Sequence, residues 1–272
     1  MASGEIVQTD ANSGEPSFAI ALMNEHVRNI ELELASGNSH VWLRHDLSTN
    51  RGYLIQMHFG FLFPSLGDAA SAVRLARSRY QDSRDSPLRD EKDAREKAYR
   101  LMQRCAWLPA LSQADPQRGW GDYAAISTAM REVEASAQPG SFDSFDYGTL
   151  SVGGAYAARM LGQPDRATQI TVQALAERFG PAGSAASATI AHLENTLRLQ
   201  LVLLGRVQIE AAEIATSYHR RWPFSLLLHA DLVKFLALIG RGSEAAAVLS
   251  EMPSCEYRRR IERELKNLKF FD

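Results

Sequence analysis

The chain has 272 residues, 45% hydrophobic and 23% charged, a composition that excludes the disordered and collagen-like classes and leaves room for a buried core. Thirty Lys plus Arg against 32 Asp plus Glu leave a formal net charge of -2, so bulk attraction to nucleic acid or to an anionic membrane is not expected. With 38 Ala and 31 Leu against 11 Val and 11 Ile, the apolar residues are those that lose little freedom in a helix, and an all-α protein is expected.

Residues 1–16 carry Glu5, Asp10 and Glu15 and no basic residue, which reads as a disordered leader and not as a secretory signal. A first helix is expected from about Phe18 to Ser36. Helical hairpins follow over Gly52 to Arg84, where Pro64 ends or kinks the first helix, and over Leu88 to Glu134, with a loop around Leu111 to Arg118. The Gly, Pro and Ser of 138–147 mark a boundary between N-terminal hairpins (17–137) and C-terminal hairpins (148–272). Three further hairpins are expected at Tyr147 to Phe179, Ala185 to Arg220 and Pro223 to Ser250. A last helix, Ser254 to Leu268, has Tyr257, Ile261, Leu265 and Leu268 on one face and charges on the other, as expected of a cap with a polar outer side.

The longest apolar stretch, Phe224 to Ile239, is interrupted by His229, Asp231 and Lys234, so no membrane span is expected. Cys105 and Cys255 stand far apart without metal or CxxC partners, which fits a reducing, cytoplasmic setting.

An apolar residue followed by Gly, with Ala five or six residues later, recurs at Leu66-Gly67 to Ala72, Leu161-Gly162 to Ala167, Leu204-Gly205 to Ala211 and Ile239-Gly240 to Ala245. The last three glycines are 43 and 35 residues apart, a spacing suited to helical-hairpin repeats in which Gly ends one helix and Ala lets the next pack closely. On these residues the chain resembles the tetratricopeptide-like family. Around Gly162, Ala155, Ala158, Ala167 and Ala174 fall at the small packing positions and their facing helix, around Gly67 Gly60 and Ala72 fall at the two small positions, and around Gly240 Ala245 and Leu249 fit the pattern. The middle unit departs from the pattern by one extra residue between Gly205 and Ala211. The resemblance implies an α-solenoid of antiparallel hairpins with a concave binding surface, and it implies no chemistry. A second resemblance, in length and irregular hairpins, is to the all-α immunity proteins of bacterial toxin systems.

No two histidines stand in an HExxH arrangement, and His192 and Glu194, two apart on a helix, point in different directions. No GxSxG elbow, SxxK or phosphate loop is present, and Gly153-Gly154 reads as close helix packing. No catalytic residue, metal or cofactor is therefore expected.

Charge is segregated along the chain. Six acids and one base occupy 1–36, ten bases and six acids 71–104, and six acids and two bases 110–150. Arg74 and Arg77 on one helix, with Arg100 and Arg104 on the next, are candidates for a basic groove that takes a carboxylate, a phosphate or an acidic peptide. Trp120, at a loop edge, is a candidate contact residue, and Asp143 and Asp146 lie in an acidic, aromatic loop suited to a partner surface. The function expected is non-enzymatic binding of a protein or peptide. The alternatives are an immunity or regulatory protein that occludes a cognate toxin or enzyme, and a helical enzyme or ligand-binding protein whose site the sequence does not display.

Overall fold

The computed structural model describes residues 12–38, 41–60, 63–76, 107–136, 142–206 and 209–267, and every regular element among them is helical. Besides a helical segment over 69–76, in chain order these are α1 (Pro16–Ala35), α2 (Val41–His58), α3 (Leu108–Ala114), α4 (Pro116–Ser136), α5 (Ser144–Met160), α6 (Pro164–Arg178), α7 (Ala188–Leu203), α8 (Ile209–Arg221), α9 (Leu226–Leu238), α10 (Gly242–Glu251) and α11 (Glu256–Asn267). No helix among the described residues is long and apolar enough to cross a membrane.

The three C-terminal hairpins are α5/α6, α7/α8 and α9/α10. Their turns share one device. Gly162, Gly205 and Gly240 take φ of +68°, +74° and +82°, the left-handed region that favours glycine. Each glycine N–H donates to the carbonyl three residues back, and the N–H of the next residue to the carbonyl five back, as in Gly162 N to Arg159 O (3.0 Å) and Gln163 N to Ala158 O (2.9 Å). This Schellman arrangement satisfies the carbonyls that a helix end leaves open. Just beyond each turn, Ala167, Ala211 and Ala245 are fully buried, so the second helix comes close to the first.

Gly67 differs. Helix α2 has already ended at His58, and Leu66 N and Asp68 N bond back to Met57 O and His58 O. Gly67 thus belongs to a loop folded onto the end of α2, and Gly60 lies past that helix instead of on its packing face. Pro64, whose ring cannot continue a helical ladder, sits inside this loop.

The loop expected at Leu111 to Arg118 is a corner made by Asp115 alone. Pro116 occupies the first helical position of α4, where its missing N–H costs nothing, and Asp115 Oδ1 accepts from Arg118 N at 3.1 Å. Of the boundary expected at 138–147, residues 138–141 lie outside the described residues; α5 begins within the remainder and packs on α3 and α4 as well as on α6 and α7. Glycine makes this possible: a Cβ at Gly153 would lie 2.4 Å from Leu108 Cβ, and one at Gly154 2.3 Å from Tyr123 Cε2.

The first helix of each hairpin is enclosed. Leu228 to Val233 of α9 are all buried, as are Ala191 to Asn195 of α7 and Val152 to Ala155 of α5, so none presents a continuous open face. The concave binding surface that the family resemblance implies therefore does not run along these helices.

The first and last described helices meet. Helix α11 buries Tyr257, Ile261 and Leu265 in one cluster with Val233 and Leu236 of α9, and its N-terminus lies beside that of α1. There the two helices exchange carboxylates. Glu256 accepts from Ser17 N (2.9 Å) and Ser17 Oγ (2.7 Å), while Glu15 Oε1 accepts from Glu256 N (3.3 Å). Each acid thus serves backbone donors at the start of the other helix, where the dipole also favours negative charge. Arg260 further donates to Ser65 O (2.7 Å) and Ser65 Oγ (2.6 Å). The expected free cap is instead a seam, and residues 12–16 of the expected disordered leader are ordered in it. Gly14 O accepts from Tyr257 N at 2.9 Å, and a Cβ at Gly14 would stand 2.6 Å from Cys255 Sγ.

Candidate functional site

Arg77, Arg100 and Arg104 lie outside the described residues, as does Cys105. Arg74 is exposed on the helical segment 69–76 and donates to Ser71 Oγ at 2.6 Å, a bond within its own turn.

Asp143 and Asp146 have a local task. Asp143 is the N-cap of α5 and accepts from Phe145 N (2.8 Å) and Asp146 N (3.0 Å), and Asp146 Oδ2 accepts in return from Asp143 N (3.2 Å). The acidic loop is thus a capping box, with Asp146 in the place usually held by Glu. Burial raises the pKa of Asp146 from 3.8 to about 6, against the backbone donor of Asp143 and with the Asp143 charge adding to the rise. The folded state then holds a proton that the unfolded chain has released, so this residue's contribution to stability falls as pH rises from 3.8 to about 6. Asp146→Asn keeps an oxygen for the Asp143 N–H and carries no charge. It should match the parent at the acid end of that window and melt higher above it; a melting-temperature difference constant with pH would contradict this assignment.

Trp120, expected at a loop edge, lies within α4. It is half-buried on α4, stacks at a tilt on Tyr123 (centroids 5.3 Å apart), and has the Arg166 guanidinium of α6 5.4 Å above its ring. One residue before Arg166, Asp165 faces Arg206 of the α7/α8 turn at 3.8 Å. The edge formed by the hairpin turns thus carries a run of aromatic and charged groups. Exposed apolar residues flank it: Met160 and Leu203, each two positions before its turn glycine, and Ile209, 67% exposed at the start of α8.

Two polar clusters were not visible in the chain order. The first lies between α7, α8 and α9. His192 Nδ1 is 2.7 Å from Asp231 Oδ2, which also accepts from Asn195 Nδ2 at 3.2 Å. Glu194, fully buried, takes Arg198 Nε (3.0 Å) and Nη2 (2.8 Å) on one oxygen and the Tyr218 hydroxyl on the other. Burial, and then the Glu194 carboxylate, push the Tyr218 pKa well above its ordinary value, which keeps its proton available to donate. His192 and Glu194 indeed point different ways, and both point inward. His192 Nε2 is enclosed without a protein partner, and the His192–Asp231 contact joins α7 to α9.

The second cluster is His219 (α8), His229 (α9) and Glu251 (α10). One ligand atom from each lies within 4.8 Å of the others, and the imidazole centroids are 4.3 Å apart. Burial, then the neighbouring His229, lower the His219 pKa against a smaller opposing effect of Glu251. Spacings of 10 and 22 residues match no local ligand motif, and only the packing of three helices reveals the group.

Comparison with family models, with curated proteins and with solved structures returns no match to this chain.

Proposed function

We propose that this protein is a non-enzymatic helical-hairpin array of the tetratricopeptide-like kind that binds a protein or peptide partner, and that the partner docks on the edge formed by the hairpin turns. The observations that carry the reading are the exposed apolar residues beside two successive turns, Met160, Leu203 and Ile209, and the Trp120–Arg166 and Asp165–Arg206 contacts made by residues that follow the same turns. Aromatic side chains, Met and Arg are enriched at protein interfaces, and apolar residues rimmed by charge suit a partly dry contact. The reading as an occluding immunity protein leaned on Asp143 and Asp146 facing a basic partner. Because both are engaged in capping α5, the turn edge is the better-supported surface.

The test is affinity capture from native extract with the parent, with a Leu203→Asp/Ile209→Asp variant, and with Phe224→Asp as control. Phe224, 97% exposed, lies beyond the other end of α8, about 20 Å from the turn edge by helix rise. The double variant should bind the captured partner roughly 30-fold or more weakly, as expected for loss of a hot spot, with an unchanged melting temperature. Equal binding by the double variant, or equal loss in the Phe224 control, would remove the turn edge as the docking surface.

A further inference from the structure

The structure assigns to His219, His229 and Glu251 a site for one divalent transition-metal ion of the zinc class, which we propose as a clamp across α8, α9 and α10.

Three observations carry it. First, the residues come from three helices of two hairpins, yet their ligand atoms converge to within 4.8 Å. Donors sharing one tetrahedral zinc at its usual bond lengths stand roughly 3.4 Å apart, so the cluster needs a contraction of up to about 1.4 Å. Glu251 is exposed at the C-terminal end of α10, so its side chain has the freedom to supply that movement.

Second, the tautomer of His229 is already set. His229 is buried and its Nε2 lies 2.8 Å from Val248 O. A carbonyl only accepts, so Nε2 carries the hydrogen, and Nδ1 is the ring atom left to take a metal. A metal-binding histidine characteristically donates its other ring N–H to a carbonyl or carboxylate in this way.

Third, His219 Nδ1 is buried without a hydrogen-bond partner. An unpaired buried polar nitrogen is a cost that a bound cation removes. Two imidazoles tilted 58° to each other, with a carboxylate beside them, offer nitrogen and oxygen donors suited to zinc and its neighbours, and poorly suited to calcium, which takes oxygen alone. Three protein ligands leave a fourth position for water.

The site differs from the turn edge in residues and in placement. His219 and His229 flank the α8/α9 connection that contains Phe224, whereas the turn edge lies at the start of α8. The two proposals therefore stand or fall separately.

The test uses the full chain, freed of metal with a chelator and titrated with zinc alone, then with cobalt as a spectroscopic probe. The parent should bind one equivalent, melt at a higher temperature with zinc than without, and give the intense visible absorption of low-symmetry cobalt. His219→Asn and Glu251→Gln alter side chains that need not be replaced for α8 and α10 to form. Each should keep the metal-free melting temperature and lose roughly 100-fold or more in zinc affinity, beyond the usual effect of removing an outer partner. Absence of stoichiometric zinc binding by the parent would overturn the proposal, and so would zinc affinity unchanged in both variants.

Discussion

Glu194→Ala should destabilise the protein by about 3–5 kcal/mol, the cost expected when one partner of a buried ion pair is removed and the other is left enclosed. Glu194 is fully buried, and both of its oxygens are in use, one by Nε and Nη2 of Arg198 and the other by the Tyr218 hydroxyl. Without the carboxylate, a guanidinium and a hydroxyl would both lack their acceptor inside the packing of α7 and α8. A domain's total stability is about 5–15 kcal/mol, so a substantial fraction would be lost. Glu194→Gln should cost less, because an amide oxygen can still accept from Tyr218. In the double variant Glu194→Leu/Arg198→Met both charges are gone, and most of the loss should be recovered. Urea denaturation of the four proteins measures this. A Glu194→Ala loss below about 1 kcal/mol, the scale of a surface pair, would show that the pair is effectively solvated.

Gly153→Val should be the second most damaging change, at about 3 kcal/mol, the upper range for overpacking a close-fitted contact. A Cβ at 153 would meet Leu108 Cβ at 2.4 Å, too close to the main chain of α3 for a side-chain rotation to relieve. Helix α5 would have to move away from α3, separating the N-terminal helices from the hairpins. An internal control is available. Gly121 on α4 is exposed, and a Cβ there meets nothing within 4 Å, so Gly121→Ala should stabilise by up to about 1 kcal/mol through helix propensity alone. Thermal melts of the two variants should therefore shift in opposite directions. A Gly153→Val protein as stable as the parent would mean that α3 and α5 do not interlock as described.

Much of the C-terminal half was legible because its punctuation is local. A Schellman turn needs one glycine and carbonyls three and five residues away, so Gly162, Gly205 and Gly240 announce their turns without reference to the remainder of the chain. The same pattern at Gly67 misleads, because Pro64 had already committed the chain to a loop and the pattern contains no term for what precedes it. The capping box was also within reach, since Asp143 and Asp146 have the required three-residue spacing, but Asp in place of the usual Glu concealed it. Asp115-Pro116 could likewise have been read as a helix start, which turns the expected loop into a corner.

The clusters were illegible for a different reason. His192 meets Asp231 39 residues away, and Ser17 meets Glu256 239 residues away. No periodicity encodes such pairs. They follow from which apolar faces bury against which, and glycine at 14, 153 and 154 then permits the close approach.

By itself, the sequence determined that this chain is helical and where its C-terminal hairpins turn, because propensity and capping act over a few neighbouring residues. Only the tertiary structure decided that the array closes α11 onto α1, that the first helices of the hairpins are enclosed, and that His219, His229 and Glu251 share one place. Those outcomes depend on long-range packing, in which the same amphipathic faces could meet in several ways until steric fit and buried polar pairing select one.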